Sequence, residues 1–157
     1  METILSSYTI YKKYHQNIIN RIIHVFCIPT ISWSICVLLP YDITKNIIIF
    51  YGVYYLYLFL TDLNNISFVH YLYIVLYLFC LWKSSIFFTY YSSHKNIFAL
   101  SLLIFSIIML FIGYWVFEEN HPTFIDNIYY FILMTPLYSF FELEDILYHR
   151  NIIEARK

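Results

Sequence analysis

Apolar residues in this chain fall into five long runs, and the polar residues gather where the runs end. The first run extends from about Ile18 to Leu39 and stops at Pro40-Tyr41-Asp42. The second covers about Ile47 to Leu60 and ends at Thr61-Asp62-Leu63-Asn64-Asn65, and the third covers about Ile66 to Trp82. Lys83 to Asn96 is aromatic and serine-rich and reads as an interfacial loop, although Ser85 to Tyr91 can extend the third helix. The fourth run, about Ile97 to Phe117, holds no charge. It is the clearest span, because about 20 apolar residues cross a ~30 Å hydrocarbon core. The fifth, about Phe124 to Phe141, is polar at its start and carries Pro136 in its middle, where a kink is expected.

Continuous runs of this kind predict helices, whereas an outer-membrane strand alternates over about ten residues. The expected fold is all-α, a polytopic helical membrane protein with four to five transmembrane helices. It forms a single domain over 1–157, with an interfacial segment at 1–16, a bundle at 17–142 and a polar tail at 143–157. Ile4, Leu5, Tyr8, Tyr11 and Lys12 recur at helical spacing, which suits a segment lying on the bilayer surface. That stretch has no apolar core of the signal-peptide type, so no cleaved leader is expected. Glu142, Glu144, Asp145 and Arg150 read as an exposed polar helix end.

Composition supports the membrane reading. The chain is 61% hydrophobic and 12% charged, against about 25% charged in average globular usage. Its mean hydropathy is +0.66, more apolar surface than a fold of this size can hide from water. A net charge of −1 with no basic run argues against nucleic acid as a partner. Cys27, Cys36 and Cys80 form no CxxC pair and read as small packing residues.

Polar groups are costly in lipid, so those kept at the mouth of a span point to function. Asn17, Asn20, Arg21 and His24 stand at i, i+3, i+4 and i+7 and form one helical stripe. His15 is half a turn out of phase with His24, so both reach one point only if the helix breaks near Gln16 and Asn17. Asn17 is a competent cap for a helix beginning at Ile18. Two readings stay open for this cluster. Two imidazoles converge on a metal, or Arg21 sits at the headgroups while His24 bonds a neighbouring helix.

A second cluster, from Gly113 to Asn127, ends the fourth run and begins the fifth. Tyr114 and Glu118 share a helix face, and Glu118 stands on the last turn of an otherwise uncharged span. Thr123 and Asp126 are spaced as a capping pair, so Asp126 can simply serve a helix end. With four spans, the start of the first and the end of the fourth emerge on one membrane face. That parity lets His15, His24 and Glu118 share a site. His70 is a bundle-facing candidate, while His94 and His149 read as solvated.

These clusters resemble the two signature regions of a membrane family of 2-hydroxy fatty acid dioxygenases, whose fungal members act in phytosphingosine breakdown to odd-numbered fatty acids. The first signature stands here as Tyr14-His15-Gln16-Asn17, Asn20, Ile23-His24 and Ile28-Pro29, with Trp33 beyond. The second stands as Phe111-Ile112-Gly113-Tyr114, Phe117-Glu118, Pro122 and Asp126-Asn127, and Thr135-Pro136 and Glu142 resemble a later motif. Tyr114 replaces the histidine usual after the glycine, and Glu119, Asn120 and His121 replace basic residues before the proline.

The resemblance implies an Fe(II) enzyme of the endoplasmic reticulum membrane that shortens a 2-hydroxy fatty acid by one carbon with O2. Its expected metal ligands are His15, His24 and Glu118, with His121 as an alternative, and Glu118 and Tyr114 are the expected catalytic residues. Asn17, Asn20 and Asp126 would support the ligands. Two histidines and a carboxylate leave open positions on iron for substrate and O2, and the acyl tail would lie against membrane lipid. Tyr114 leaves three outcomes open: tyrosinate ligation, replacement by His121, or a catalytically degenerate lipid-binding protein. A structural or transport subunit with incidental polar residues is the further alternative.

Overall fold

The computed structural model describes residues 8–9, 11–12, 15–61, 67–118 and 133–148. Regular structure among these residues is entirely helical, as the unbroken apolar runs require. Four helices are long and apolar enough to cross a membrane. They are α1 (Ile18–Leu38), α2 (Tyr41–Thr61), α3 (Phe68–Tyr91) and α4 (Lys95–Ile112), the last continued by a π-helical turn at Gly113–Glu118. The spans hold 21, 21, 24 and 24 residues. At 1.5 Å per residue each is about 30 Å long or more, enough for a hydrocarbon core. Phe26, Val53, Leu60, Phe87 and Ile97 stand exposed along them, as lipid-facing side chains do. A fifth helix, α5 (Thr135–Tyr148), has 14 residues, and the start of the fifth apolar run lies outside the described residues.

Two boundaries differ from the sequence expectation. α2 begins at Tyr41 rather than near Ile47, because Pro40 ends one helix and starts the next. A residue before proline is pushed out of the helical region, which stops α1, and the Pro40 carbonyl then accepts the Thr44 N–H at 3.0 Å. The last carbonyls of a helix lack partners within it. Buried Thr44 supplies one, its hydroxyl donating to the Cys36 carbonyl at 3.2 Å.

The second difference is larger. The loop expected over Lys83–Asn96 is mostly helix, since α3 continues to Tyr91 and α4 begins at Lys95. The polar residues at the start of that stretch are satisfied within the helix. Ser84 and Ser85 donate back to the carbonyls of Leu81 and Trp82 at 3.3 and 2.9 Å. The Lys83 ammonium lies over the Trp82 ring at 4.7 Å.

Contacts divide the chain into two compact units, Pro29–Ser106 and Met1–Ile28 with Ile107–Lys157. The first division falls at Pro29 within α1, where the helix loses an internal hydrogen bond. In the unit Pro29–Ser106, Trp33, Phe88 and Phe98 form a ring cluster with centroids 5.0 and 5.3 Å apart. Phe59 stacks on Tyr71 at 5.1 Å, joining α2 to α3. His70 is buried, as its place on the bundle face suggested. Its Nδ1 accepts the Ser67 N–H at 3.1 Å while Ser67 caps α3, a capping box with histidine in place of glutamate. His94 is exposed and Cys27 buried. Both polar clusters belong to the other unit.

Thr44→Val keeps the shape and removes the hydroxyl. The Cys36 carbonyl would then lose its side-chain partner, and stability should fall by about 1 kcal/mol. A lower thermal midpoint in detergent micelles checks this.

Candidate functional site

The chain breaks its helical course where the first cluster demanded it. Tyr11 and Lys12 are helical, residues 15–17 are not, and α1 starts afresh at Ile18. The Asn17 side chain caps the new helix, its Oδ1 accepting the Ile19 N–H at 2.9 Å. The break turns His15 back onto the polar stripe. His15, Asn20 and His24 are all buried, and the two imidazole centroids lie 4.4 Å apart, edge to face.

The end of the fourth span meets the same place. Its last turn is π-helical from Gly113 to Glu118, a winding that recurs at functional sites. Tyr114 is 2% exposed, and its ring centroid lies 5.3 Å from His15 and 5.1 Å from His24. Its hydroxyl is 3.1 Å from His15 Nε2. Glu118 Oε1 accepts the Asn17 N–H at 2.8 Å and the Asn20 amide at 3.1 Å. A carboxylate is well placed at a helix N-terminus, where orphan N–H groups and the dipole both favour negative charge. Asn20 packs against Gly113 so closely that a Cβ there would overlap its Oδ1, and the Asn20 side chain would have to shift.

The tautomer of His15 follows from its partners. Its Nδ1 lies 2.9 Å from the Tyr11 carbonyl, which can only accept, so Nδ1 carries the hydrogen. Burial holds this imidazole at a pKa of about 4, well below the usual range, so it is neutral at pH 7. Nε2 therefore presents a lone pair and the Tyr114 hydroxyl donates to it. His24 Nδ1 lies 3.4 Å from the Tyr11 hydroxyl. Its Nε2 is buried without a hydrogen-bond partner among the described residues. Tyr11 also stacks on His15 with centroids 3.9 Å apart.

The structure thus brings together His15, His24 and Tyr114, and separately Glu118 with Asn17 and Asn20. Among the described residues, no three His, Cys, Asp or Glu side chains are gathered as a metal cage. His121 and Asp126 lie outside the described residues, as do His149 and Arg150.

The reading of Glu142 and Asp145 as an exposed helix end is overturned. Glu142 is 1% and Asp145 6% exposed, and Glu144 is half-buried. Asp145 pairs with Lys12 and, at 3.2 Å, with Arg21. Arg21 Nε lies 3.7 Å from Glu142 Oε1, and Arg21 also reaches the Glu142 carbonyl at 3.5 Å. Arg21 is therefore an ion-pair partner of α5. The sequence carried a signal for this. Tyr138 and Glu142, like Phe141 and Asp145, are four apart, so the carboxylates continue the buried stripe of α5. Tyr11 was missed as a site residue, because helical spacing alone placed it on a surface segment. Tyr8 and Tyr11 pack instead on Tyr138, with centroids 5.5 and 4.9 Å apart.

A family model described as 2-hydroxy-palmitic acid dioxygenase Mpo1-like matches residues 1–146, and the chain belongs to that family. No curated protein and no solved structure matches it.

One prediction concerns the packing. Gly113→Ala should lower stability by about 1–3 kcal/mol through overpacking against Asn20. Gly52→Ala, in α2 with nothing within 4 Å of the added carbon, should be neutral or raise stability by up to about 1 kcal/mol. Thermal midpoints of the pair in micelles decide it.

The other concerns pH. Burial pushes the Glu142 carboxyl up to about 8 against the pull of Arg21. The folded state then holds a proton that the unfolded state releases, so this group's contribution falls as pH rises from about 4.5 to 8. His15, with its lowered pKa, slopes the opposite way between about 4 and 6.5. Thermal midpoints from pH 6.5 to 8.5 should therefore decline in the wild type, with a shallower decline in Glu142→Gln.

Proposed function

We propose that this member of the 2-hydroxy-palmitic acid dioxygenase Mpo1-like family is an Fe(II)-dependent enzyme that shortens 2-hydroxy fatty acids by one carbon. Atom balance for 2-hydroxypalmitate and O2 gives pentadecanoic acid, CO2 and water. The site would work at the boundary of the endoplasmic reticulum membrane, with the acyl tail kept in lipid.

The observation that carries the reading is the pair of buried imidazoles. His15 has its Nε2 lone pair facing inward, and His24 Nε2 has no protein partner among the described residues. A buried nitrogen left unbonded is costly, and a metal or ligand would satisfy it. Neutral imidazoles and a carboxylate suit Fe(II). His15 and His24 would hold the ion. Glu118 would supply the carboxylate, supported by Asn17 and Asn20 as carboxylate ligands commonly are. Bound there, iron would supply the one-electron chemistry that lets O2 react with a closed-shell hydroxy acid. The protein's part is to exclude water and orient the two imidazoles. Asp126 and His121 are proposed as a supporting residue and an alternative ligand.

One observation favours a rival reading, a lipid-binding protein that has lost catalysis. The Tyr114 hydroxyl occupies His15 Nε2, and both Glu118 bonds serve the start of α1. Purified protein with Fe(II), O2 and 2-hydroxypalmitate separates the two. Pentadecanoic acid supports the enzyme, while retained lipid binding without turnover supports the rival.

Metal analysis tests the ligands. Losing a residue that merely supports a ligand costs about 10–100-fold in affinity or activity, so His15→Ala and His24→Ala should each exceed that. Glu118→Ala should also lose iron while Tyr114→Phe keeps it. The reverse pattern gives the third position to Tyr114, and unchanged iron in both histidine variants ends the dioxygenase reading.

A further inference from the structure

Two side chains at the centre of the ion-pair cluster have unmet polar atoms. Arg21 uses Nη2 on Asp145 and on the Glu142 carbonyl, while its Nε is buried with no hydrogen bond among the described residues. Both Glu142 carboxyl oxygens are buried in the same condition, and Oε1 stands 3.7 Å from that Nε. Such a distance makes an ion pair but not a hydrogen bond. We propose that Arg21 and Glu142 hold the head of the substrate, with Arg21 on the carboxylate of the 2-hydroxy acid, so that the site selects free acids over neutral lipids. The choice of acid rests on the proposed function.

Charge and hydrogen-bonding capacity both fit that head. Lys12 and Arg21 are two cations on one aspartate, and burial pushes the Glu142 carboxyl up to about 8. At neutral pH the cluster therefore keeps one excess positive charge, and a buried charge without a counter-ion is costly. An incoming carboxylate cancels it. The unmet atoms are two donors, Nε–H and the carboxyl proton of Glu142, and one acceptor, the other Glu142 oxygen. A 2-hydroxy acid offers the converse: a carboxylate that accepts twice and a hydroxyl that donates once. An oxygen beside the 3.7 Å pair can lie about 2.9 Å from both members, an ordinary bond length.

The placement suits the proposed chemistry. Arg21 stands one turn before His24 on the polar stripe of α1, about 5–6 Å away between Cβ atoms. Its charge adds to burial in lowering the His15 pKa, so it lies near the other imidazole too. The Arg21 side chain keeps 13% exposure, which leaves a way in. Ile18, one turn earlier, is half exposed on the helix surface, where an acyl tail can lie in lipid.

The test reads binding to metal-free protein, where iron cannot hold the acid. Radiolabelled 2-hydroxypalmitate on the full chain in non-ionic micelles is displaced by unlabelled 2-hydroxypalmitate or by 2-hydroxypalmitamide, which keeps the tail and hydroxyl but has no charge. The amide should bind about 10–100-fold more weakly, the worth of a hydrogen bond to a charged group. Arg21→Lys keeps a cation for Asp145, removes the Nε donor and should lose most of that preference. Lys83, beside an aromatic cleft with Phe87, Tyr90 and Tyr91, is the competing cation, and Lys83→Gln should keep the preference. Where Arg21→Lys does not fold, the wild type still decides. In 15N-arginine-labelled protein the acid should shift the Arg21 Nε–H and the amide should not, with Arg150→Lys and Arg156→Lys identifying the signal.

Equal displacement by acid and amide would overturn the proposal, as would no binding of the acid, an unshifted Arg21 Nε–H, or a preference lost in Lys83→Gln and kept in Arg21→Lys. The two readings fail separately. Acid-selective binding through Arg21 without turnover by iron-loaded protein defeats the proposed function and leaves the carboxylate site standing. Turnover with an unshifted Arg21 Nε–H does the reverse.

Discussion

A helix that starts in or near lipid must find partners for its first N–H groups, because no water is there to take them. In this protein the start of α1 is served by its own Asn17 and by Glu118 from the end of the fourth span. Much of the surrounding geometry depends on that bond. It joins two segments about a hundred residues apart and places the π-helical turn against the polar stripe of α1. Asn20 fits between them because position 113 has no side chain. With the helix start fixed, the chain before it is free to turn back, which brings His15 over His24.

The charges around Arg21 do a second job. Buried ions are stable only when paired and hydrogen-bonded, and removing one partner strands the other. Lys12 and Arg21 share Asp145, while Glu142 sits nearby as a carboxyl that burial keeps largely protonated at neutral pH. Lys12 and Arg21 are two cations on one aspartate, so a protonated Glu142 leaves the cluster with one excess positive charge, which ionised Glu142 would cancel. The cluster's effect is to pin the N-terminal segment and α1 to α5 on the flank of the histidines. The cluster thus secures the backbone that carries Tyr11 without spending any histidine on an ion pair.

The spans were legible because apolar runs of membrane length are strongly periodic and lipid tolerates few exceptions. Their ends were less so. Lys83, Ser84 and Ser85 looked like a loop because their bonds back to the helix and onto Trp82 are invisible in a residue count. The meeting of the two polar clusters followed from span parity and from the phase break before Asn17. The charged face of α5 was misread because acidic residues near a helix end are usually solvated. Here their phase matched the buried stripe and their partners lay more than 120 residues away. Tyr11 was hidden for a related reason: helical spacing describes a face but not what folds over it.

Tyr114 stands where the family resemblance leads one to expect a histidine, and magnitudes bear on whether that would close the proposed site. Its hydroxyl and a metal would compete for the same lone pair, His15 Nε2. A hydrogen bond between neutral groups is worth about 0.5–1.5 kcal/mol net. Structural zinc sites bind with about 10–16 kcal/mol, and although Fe(II) binds more weakly than Zn(II), one such hydrogen bond is small beside a set of metal–ligand bonds. Releasing the tyrosine would therefore cost an order of magnitude or so in affinity, not the site itself. If the position is a ligand in the family, as the resemblance implies, the replacement removes an imidazole, and a neutral phenol would give little back to Fe(II). The demand then falls on the carboxylate of Glu118, which is already hydrogen-bonded by Asn17 and Asn20 at the next turn. Two histidines and one carboxylate remain a sufficient set for iron with open positions. On the proposed reading, the tyrosine would change which ligand completes the site more than whether one forms.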